Sequence, residues 1–262
     1  MKYLILILVF ASFTRIIGMD VTVTEIEYVE TIRNDSINTF WQAKHYLLRS
    51  GNISKYSKKK TIKNNIGIKD DAIEFKPKNS KNRLVYKNYK NNEMYSEDLI
   101  GFKLFTIKDS INIINWNIKK EKKEILGYVC TLAETFFRGR TYQAWFTTQL
   151  IAGGPWKFDG LPGMILKADS KDGYCSYEAT KIKISKQEAN TFDLTNSYTL
   201  KKKFYSWSEF KKKYKEKAIK MSKFSTAEGD FSITPRITRE RYIEEDDLDY
   251  TMDKKVREYF KK

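Results

Sequence analysis

From Val21 to about Ile184 the chain is written as one short extended stretch after another, with connections too brief to hold a helix between them. VTVTEIEYVETI, FWQAKHYLLRS, RLVYKNYK, EMYSEDL, GFKLFTIK, INIINWNIKKE, ILGYVCTLAETFF, RTYQAWFTTQL, MILKADS and YCSYEATKIKI each mix β-branched and aromatic residues in rough alternation. Alternation of that kind is the period of a half-buried strand. Gly51-Asn52, Arg138-Gly139 and Lys171-Asp172-Gly173 are tight-turn signals between them. Consecutive strands on short turns must run antiparallel, because a parallel return needs a long crossover. With no helix alternating, a doubly wound nucleotide-binding sheet is excluded. The expected class is mainly β, a curved antiparallel sheet or open barrel with C-terminal helices. Residues 57–82, SKKKTIKNNIGIKDDAIEFKPKNSKN, read instead as a polar loop or flap.

The two ends differ from this middle. MKYLILILVFASFTRIIG places Lys2 before an apolar run to Phe13 and ends on a small residue, the pattern of a signal peptide over residues 1–18. Its apolar run is short for a membrane span. Export, to the periplasm or beyond, is the expectation. An antiparallel β domain then covers residues 19–190, and a helical extension, packed on the sheet or trailing it, covers 191–262. In the extension Ser206-Trp207-Ser208-Glu209 is a capping box, with Ser at the cap and Glu three residues on. It opens a lysine-rich helix to about Met221, with Trp207, Phe210 and Tyr214 near one face. A linker-like stretch follows, and Met252 to Phe260 form a last short helix.

The net charge of +16 becomes +14 when Lys2 and Arg15 leave with the signal peptide. Such an excess favours anionic surfaces, here an envelope surface or an outer-membrane partner. Nucleic acid is not expected, since no recognition fingerprint accompanies the charge and export removes the usual partner.

Catalytic constellations are sparse. His45 is the only histidine and lies in an apparent strand, where it reads as a half-exposed strand residue. No G-x-S-x-G elbow occurs. One histidine and two distant cysteines do not make a zinc site, so no metal and no cofactor is expected. Copper on Cys130 is a minor alternative, because thiolate suits Cu(I). A carboxylate-dependent hydrolase is the other, and it requires two or more of Glu25, Asp109, Glu134, Asp159, Asp169 and Glu178 to converge in one cleft. The acidic cluster Glu244 to Asp249 reads as solvated.

The densest stretch is 153–169, GGPWKFDGLPGMILKAD. It lacks the G-K-[ST] of a phosphate cradle, and its prolines remove N–H donors. If extended, it points Trp156 and Phe158 to opposite sides. Trp145, Phe146, Trp156, Phe158, Leu161 and Pro162 are the candidate ligand-binding residues, either walls of an apolar pocket or a plug closing the core. If Gly163 takes a left-handed conformation, a β-branched residue there is excluded. Cys130 and Cys175 allow a single intramolecular disulfide, subject to geometry.

The run GRTYQAWFTTQLIAGGPWKFDGLPGMILKADSKDGYCSYEA resembles the signature of the GLPGLI family, exported Bacteroidetes proteins, with GLPGMI for the hexapeptide and Met164 in place of leucine. The resemblance extends to FTIKDSINIINWNIKKEKKEILGYVC and to HYLLRSGNISKY, and so over most of 20–184. It implies an exported, mostly antiparallel β protein without an established activity. It supports Cys130 more than Cys175, which weighs against the disulfide. The sheet pattern is similar to that of lipoprotein carriers, an analogy of fold alone. The functional expectation is a non-enzymatic envelope protein binding an apolar or amphipathic ligand or a membrane-associated partner.

Overall fold

The computed structural model describes residues 20–34, 39–64, 84–100, 103–188, 203–222 and 240. Eleven strands follow in chain order: β1 (Asp20–Asn34), β2 (Thr39–Ser50), β3 (Ile53–Asn64), β4 (Leu84–Asn88), β5 (Glu93–Ile100), β6 (Lys103–Asp109), β7 (Asn117–Ile125), β8 (Tyr128–Phe137), β9 (Arg140–Thr147), β10 (Met164–Ser170) and β11 (Cys175–Glu188). A two-residue strand, β12 (Phe204–Tyr205), and one helix, α1 (Trp207–Ser222), complete the described elements. All strands join one sheet in the order β12-β6-β5-β4-β3-β2-β1-β11-β10-β9-β8-β7, open at both ends. Every pairing is antiparallel except β12 on β6. The fold is therefore mainly β, an open curved sheet with a C-terminal helix. The expected helix at Met252 to Phe260 lies outside the described residues, as do residues 1–19.

Local chemistry explains the joints. Arg138 and Gly139 both take positive φ (47° and 83°), the conformation a two-residue hairpin needs to match strand twist. Leu126-Gly127 repeats this between β7 and β8, a turn that the run ILGYVC hides in sequence. The capping box forms as read: Glu209 N donates to Ser206 Oγ (3.2 Å) and Ser206 N to Glu209 Oε2 (2.7 Å).

The expected loop over 57–82 is corrected at its start, because Ser57 to Asn64 continue β3 against β2. Its lysines are accommodated by aromatic neighbours: Lys58 Nζ lies 4.9 Å from the Trp41 ring centre and Lys59 Nζ 4.3 Å from that of Tyr46. The remainder, 65–82, lies outside the described residues.

Curvature shows in contacts between elements distant in the sheet. Arg138, in the β8–β9 turn, pairs with Asp109 at the end of β6 at 2.8 Å, although the two lie near opposite edges. The concave side holds the main core, which draws residues from β1 to β5 and from β8 to β11 together with Ile111, Ile114 and the 150–161 segment. At the β6 edge α1 covers this side through Phe210, packed with Ile100, Phe105 and Ile107. Leu84, Tyr86 and Tyr95 form a small cluster of their own with Phe204 of β12.

Candidate functional site

Between β9 and β10 the chain leaves the sheet and crosses its concave side. The loop bends where the sequence suggested extension. Trp156 sits at φ 47°, and Phe158 N donates to Pro155 O at 3.1 Å. The expectation that Trp156 and Phe158 diverge is thereby corrected. Their rings meet edge to face at 5.1 Å and share Tyr177, with Tyr142 and Trp116 beside Phe158. Phe146, Trp156, Phe158 and Leu161 are buried in the core. Trp145 is half-buried and faces Lys123 (4.1 Å), while Pro162 is exposed, so neither joins the others in a pocket. Gly163 does not take a positive φ. Its requirement is space, since a Cβ there would stand 2.0 Å from Thr147 O.

Two buried lysines fix this loop. Lys87 of β4 donates to Gly154 O (3.0 Å), Phe158 O (2.7 Å) and Asp159 Oδ2 (2.9 Å), matching its three N–H donors with three acceptors. Burial pushes its ammonium down, against the pull of Asp159. Tyr89 OH donates to the same Asp159 Oδ2 at 2.7 Å, Trp116 Nε1 donates to Asp159 O at 2.7 Å, and Arg49 Nε to Ala152 O at 3.1 Å. The second lysine, Lys157, belongs to the loop itself. Its Nζ reaches both carboxylate oxygens of Glu240 (2.7 and 2.6 Å), and Arg138 pairs with the same carboxylate. Burial would raise the Glu240 carboxyl, but Lys157 and Arg138 outweigh it and hold it below its ordinary value.

Above Arg138 opens a shallow groove of about 760 Å³, lined among others by Asn91, Lys108, Asp109, Ile113, Arg138 and Trp207. Its walls are fixed by internal bonds. Asn92 Oδ1 accepts from Ile111 N (3.1 Å), and Glu93 pairs with Lys108 (2.6 Å). The Arg138 guanidinium lies 3.9 Å from the centre of the Trp207 ring. Asp109 Oδ2 is buried with no hydrogen-bond partner among the described residues.

The remaining sequence candidates do not gather in one cleft, although Asp169 and Glu178 share Lys167. His45 is buried rather than half-exposed. Its Nε2 lies 3.2 Å from Glu30 Oε2, and its ring stacks on Tyr56 at 5.0 Å. Asp109 and Asp159 belong to separate ion pairs. Glu134 bonds Lys171 (2.7 Å), and Asp169 and Glu178 flank Lys167. Glu134 is held at about 2 by Lys171 and Gln143. Every described carboxyl group whose titration shifts, shifts downward, whereas a general acid needs the reverse.

Cys130 and Cys175 are both buried and are not joined to each other. Their strands, β8 and β11, are separated by β9 and β10. The register that runs from Cys175 through Ser170 and Tyr142 arrives at Thr135, five residues from Cys130. That amounts to roughly 14 Å across the sheet and 16 Å along it, too far for a disulfide. Burial raises the Cys130 thiol, which opposes the thiolate a copper ion needs. No group of three His, Cys, Asp or Glu side chains among the described residues could hold a metal ion.

Sequence reading missed Lys87, Lys157, Arg138 and Glu240. A lysine set between Trp156 and Phe158 was the one available signal, since an ammonium carried into a core by flanking aromatics must find a partner.

A family model described as N-glycanase peptide, N-terminal domain, matches residues 64–205, more than half of the chain. Among solved structures the chain is similar to PNGF-II in a P21 crystal form, at 19% identity and TM-score 0.49, covering 75% of this chain and 34% of that one. A C2 form gives 21% identity and TM-score 0.49, covering 75% and 32%. The chain thus spans about a third of PNGF-II. It is also similar to a putative outer membrane lipoprotein-sorting protein domain from Vibrio parahaemolyticus, at 9% identity and TM-score 0.29, covering 65% and 89%. No curated protein matches the sequence.

Proposed function

The chain belongs to the family of the N-glycanase peptide, N-terminal domain, and on that premise we propose that it is an exported, non-catalytic recognition domain whose groove takes an amphipathic ligand. Sugar residues of a glycoprotein are the class that suits such a family. One observation carries the reading: the groove beside Arg138 sets Ile113 and Trp207 among Asn91, Lys108 and Asp109, with its walls already held in place. A sugar offers the complement, apolar C–H faces and directional hydroxyls, and a preformed polar site loses little entropy on binding it. The absence of catalysis is supported by the carboxylates that line the groove, since Glu93 and Asp109 each face a cation.

Export rests on the N-terminal sequence and on the GLPGLI resemblance at Gly160 to Ile165. The net charge of +16 favours an anionic envelope surface as the setting in which the groove works.

Calorimetric titration of the full chain with an N-linked glycopeptide and with the deglycosylated peptide tests the reading. Binding of the glycopeptide alone is expected, weakened at least tenfold by the double change Asn91→Ala and Lys108→Ala. Equal binding of both peptides, or of neither, would remove it. Release of the glycan by the chain itself would replace it with an enzyme.

A further inference from the structure

Beneath the groove, the pairing of Lys157 with Glu240 has a chemistry that the groove reading does not use. Lys157 is almost wholly buried, and among the described residues its ammonium hydrogen-bonds to nothing but the two oxygens of Glu240. Arg138 pairs with the same carboxylate and with Asp109. Among the described residues two cations therefore face two carboxylates, and without Glu240 the balance is one positive charge in excess. The walls are aromatic: Lys157 Nζ lies 5.6 Å from the Trp156 ring centre and 5.3 Å from that of Trp207, and the Arg138 guanidinium lies 4.9 Å from that of Phe137. Such walls exclude water, so each cation depends on an anion supplied by the protein or by a ligand. Glu240 is 83 residues from Lys157 and 102 from Arg138, and the filling group is thus carried by a distant part of the chain and not by the socket's own elements.

We propose that Lys157 and Arg138 form a carboxylate-binding socket, filled in this chain by Glu240, which a small carboxylate occupies when Glu240 is withdrawn. The planar group that both cations grip at once defines the class, because one oxygen is shared between Lys157 and Arg138 while the second stays on Lys157. Arg138 also lines the groove, so a carboxylate carried by a groove ligand would compete with Glu240 for its guanidinium. Burial pushes Lys157 down and the Glu240 carboxylate holds it up, in keeping with an ammonium that needs its anion.

Chemical rescue tests the socket without any groove ligand, and so fails or succeeds separately from the proposed function. The full chain with Glu240→Ala is melted at pH 7 and constant ionic strength in sodium chloride, sodium acetate or sodium phosphate. The variant should melt several degrees below wild type in chloride. Acetate up to about 100 mM should recover at least half of that loss along a saturating curve, as expected of a ligand bound only by the folded state. Phosphate should not, wild type should not respond, and Lys157→Met combined with Glu240→Ala should lose the rescue. An identical response to acetate and chloride overturns the proposal, as does a phosphate response equal to that of acetate. If Glu240→Ala does not fold in chloride, refolding yield becomes the readout: recovery by acetate supports the socket, and equal yields overturn it.

Discussion

Lys87 and Lys157 are two buried lysines at the same loop, one reaching into it and one carried by it, and they solve the same electrostatic problem differently. Lys87 reaches into the loop from β4 and is met by two of its carbonyls and by Asp159, all from the segment it anchors. Lys157 is carried by the loop and is met by one carboxylate from far along the chain. The first arrangement closes on itself, and neither partner can leave without undoing the core. The second depends on an outside group that can be exchanged. One loop is therefore both a rigid plug and the floor of a site.

The sharpest way to break the rigid side is Gly163→Val. The new side chain would meet the Thr147 carbonyl at its first carbon, in contact with backbone that belongs to β9. A loss of about 4 kcal/mol or more is expected, enough to prevent accumulation of folded protein, while Pro162→Ala at the exposed neighbouring position costs under about 1 kcal/mol. Equal denaturation midpoints for the two would show that the loop can shift.

Next in size is Lys87→Met, which leaves Asp159 buried without its cation. Urea unfolding should show a loss of about 3–5 kcal/mol. Recovery of most of it in a double change with Asp159→Leu would assign the cost to the orphaned charge and not to packing.

On the exchangeable side, Glu240→Gln keeps the volume and removes the charge. Its expected cost is smaller, about 2–3 kcal/mol by the same measurement, because the amide still offers one acceptor. A cost equal to that of Lys87→Met would erase the contrast between the two lysines.

The smallest effect lies away from the loop, where Lys44 and Tyr46 bond Glu27 and hold its carboxyl at about 2 against an ordinary 4.5. Because the folded value is the lower one, this contribution is complete above about pH 4.5 and is lost as the pH falls towards 2. The gap in melting temperature between wild type and Lys44→Met should accordingly narrow across that interval. A gap unchanged from about pH 6 to 2 would show that the pair adds nothing, as many exposed ion pairs do.

Much of the sheet was legible because its causes are local. Arg138-Gly139 makes its turn from the backbone freedom of two residues, and Ser206 with Glu209 makes its cap within one helical turn. The continuation of β3 through Lys58 and Lys59 was not legible. These lysines read as solvated chain until Trp41 and Tyr46 of the neighbouring strand β2 are placed beside Lys58 and Lys59. His45 misled in the same way, since nothing near it in sequence announces Glu30 or Tyr56.

By itself, then, the sequence determined an antiparallel β protein with a capped C-terminal helix, because alternation, turn chemistry and capping act over two to four residues. The tertiary structure alone decided that the cysteines stay apart, that Trp156 and Phe158 turn into one core, and that Lys87, Lys157 and Arg138 become the charged points around the loop. The physical reason is range. A buried charge is fixed by whichever opposite charge the fold brings beside it, and those partners lie 72, 83 and 102 residues away.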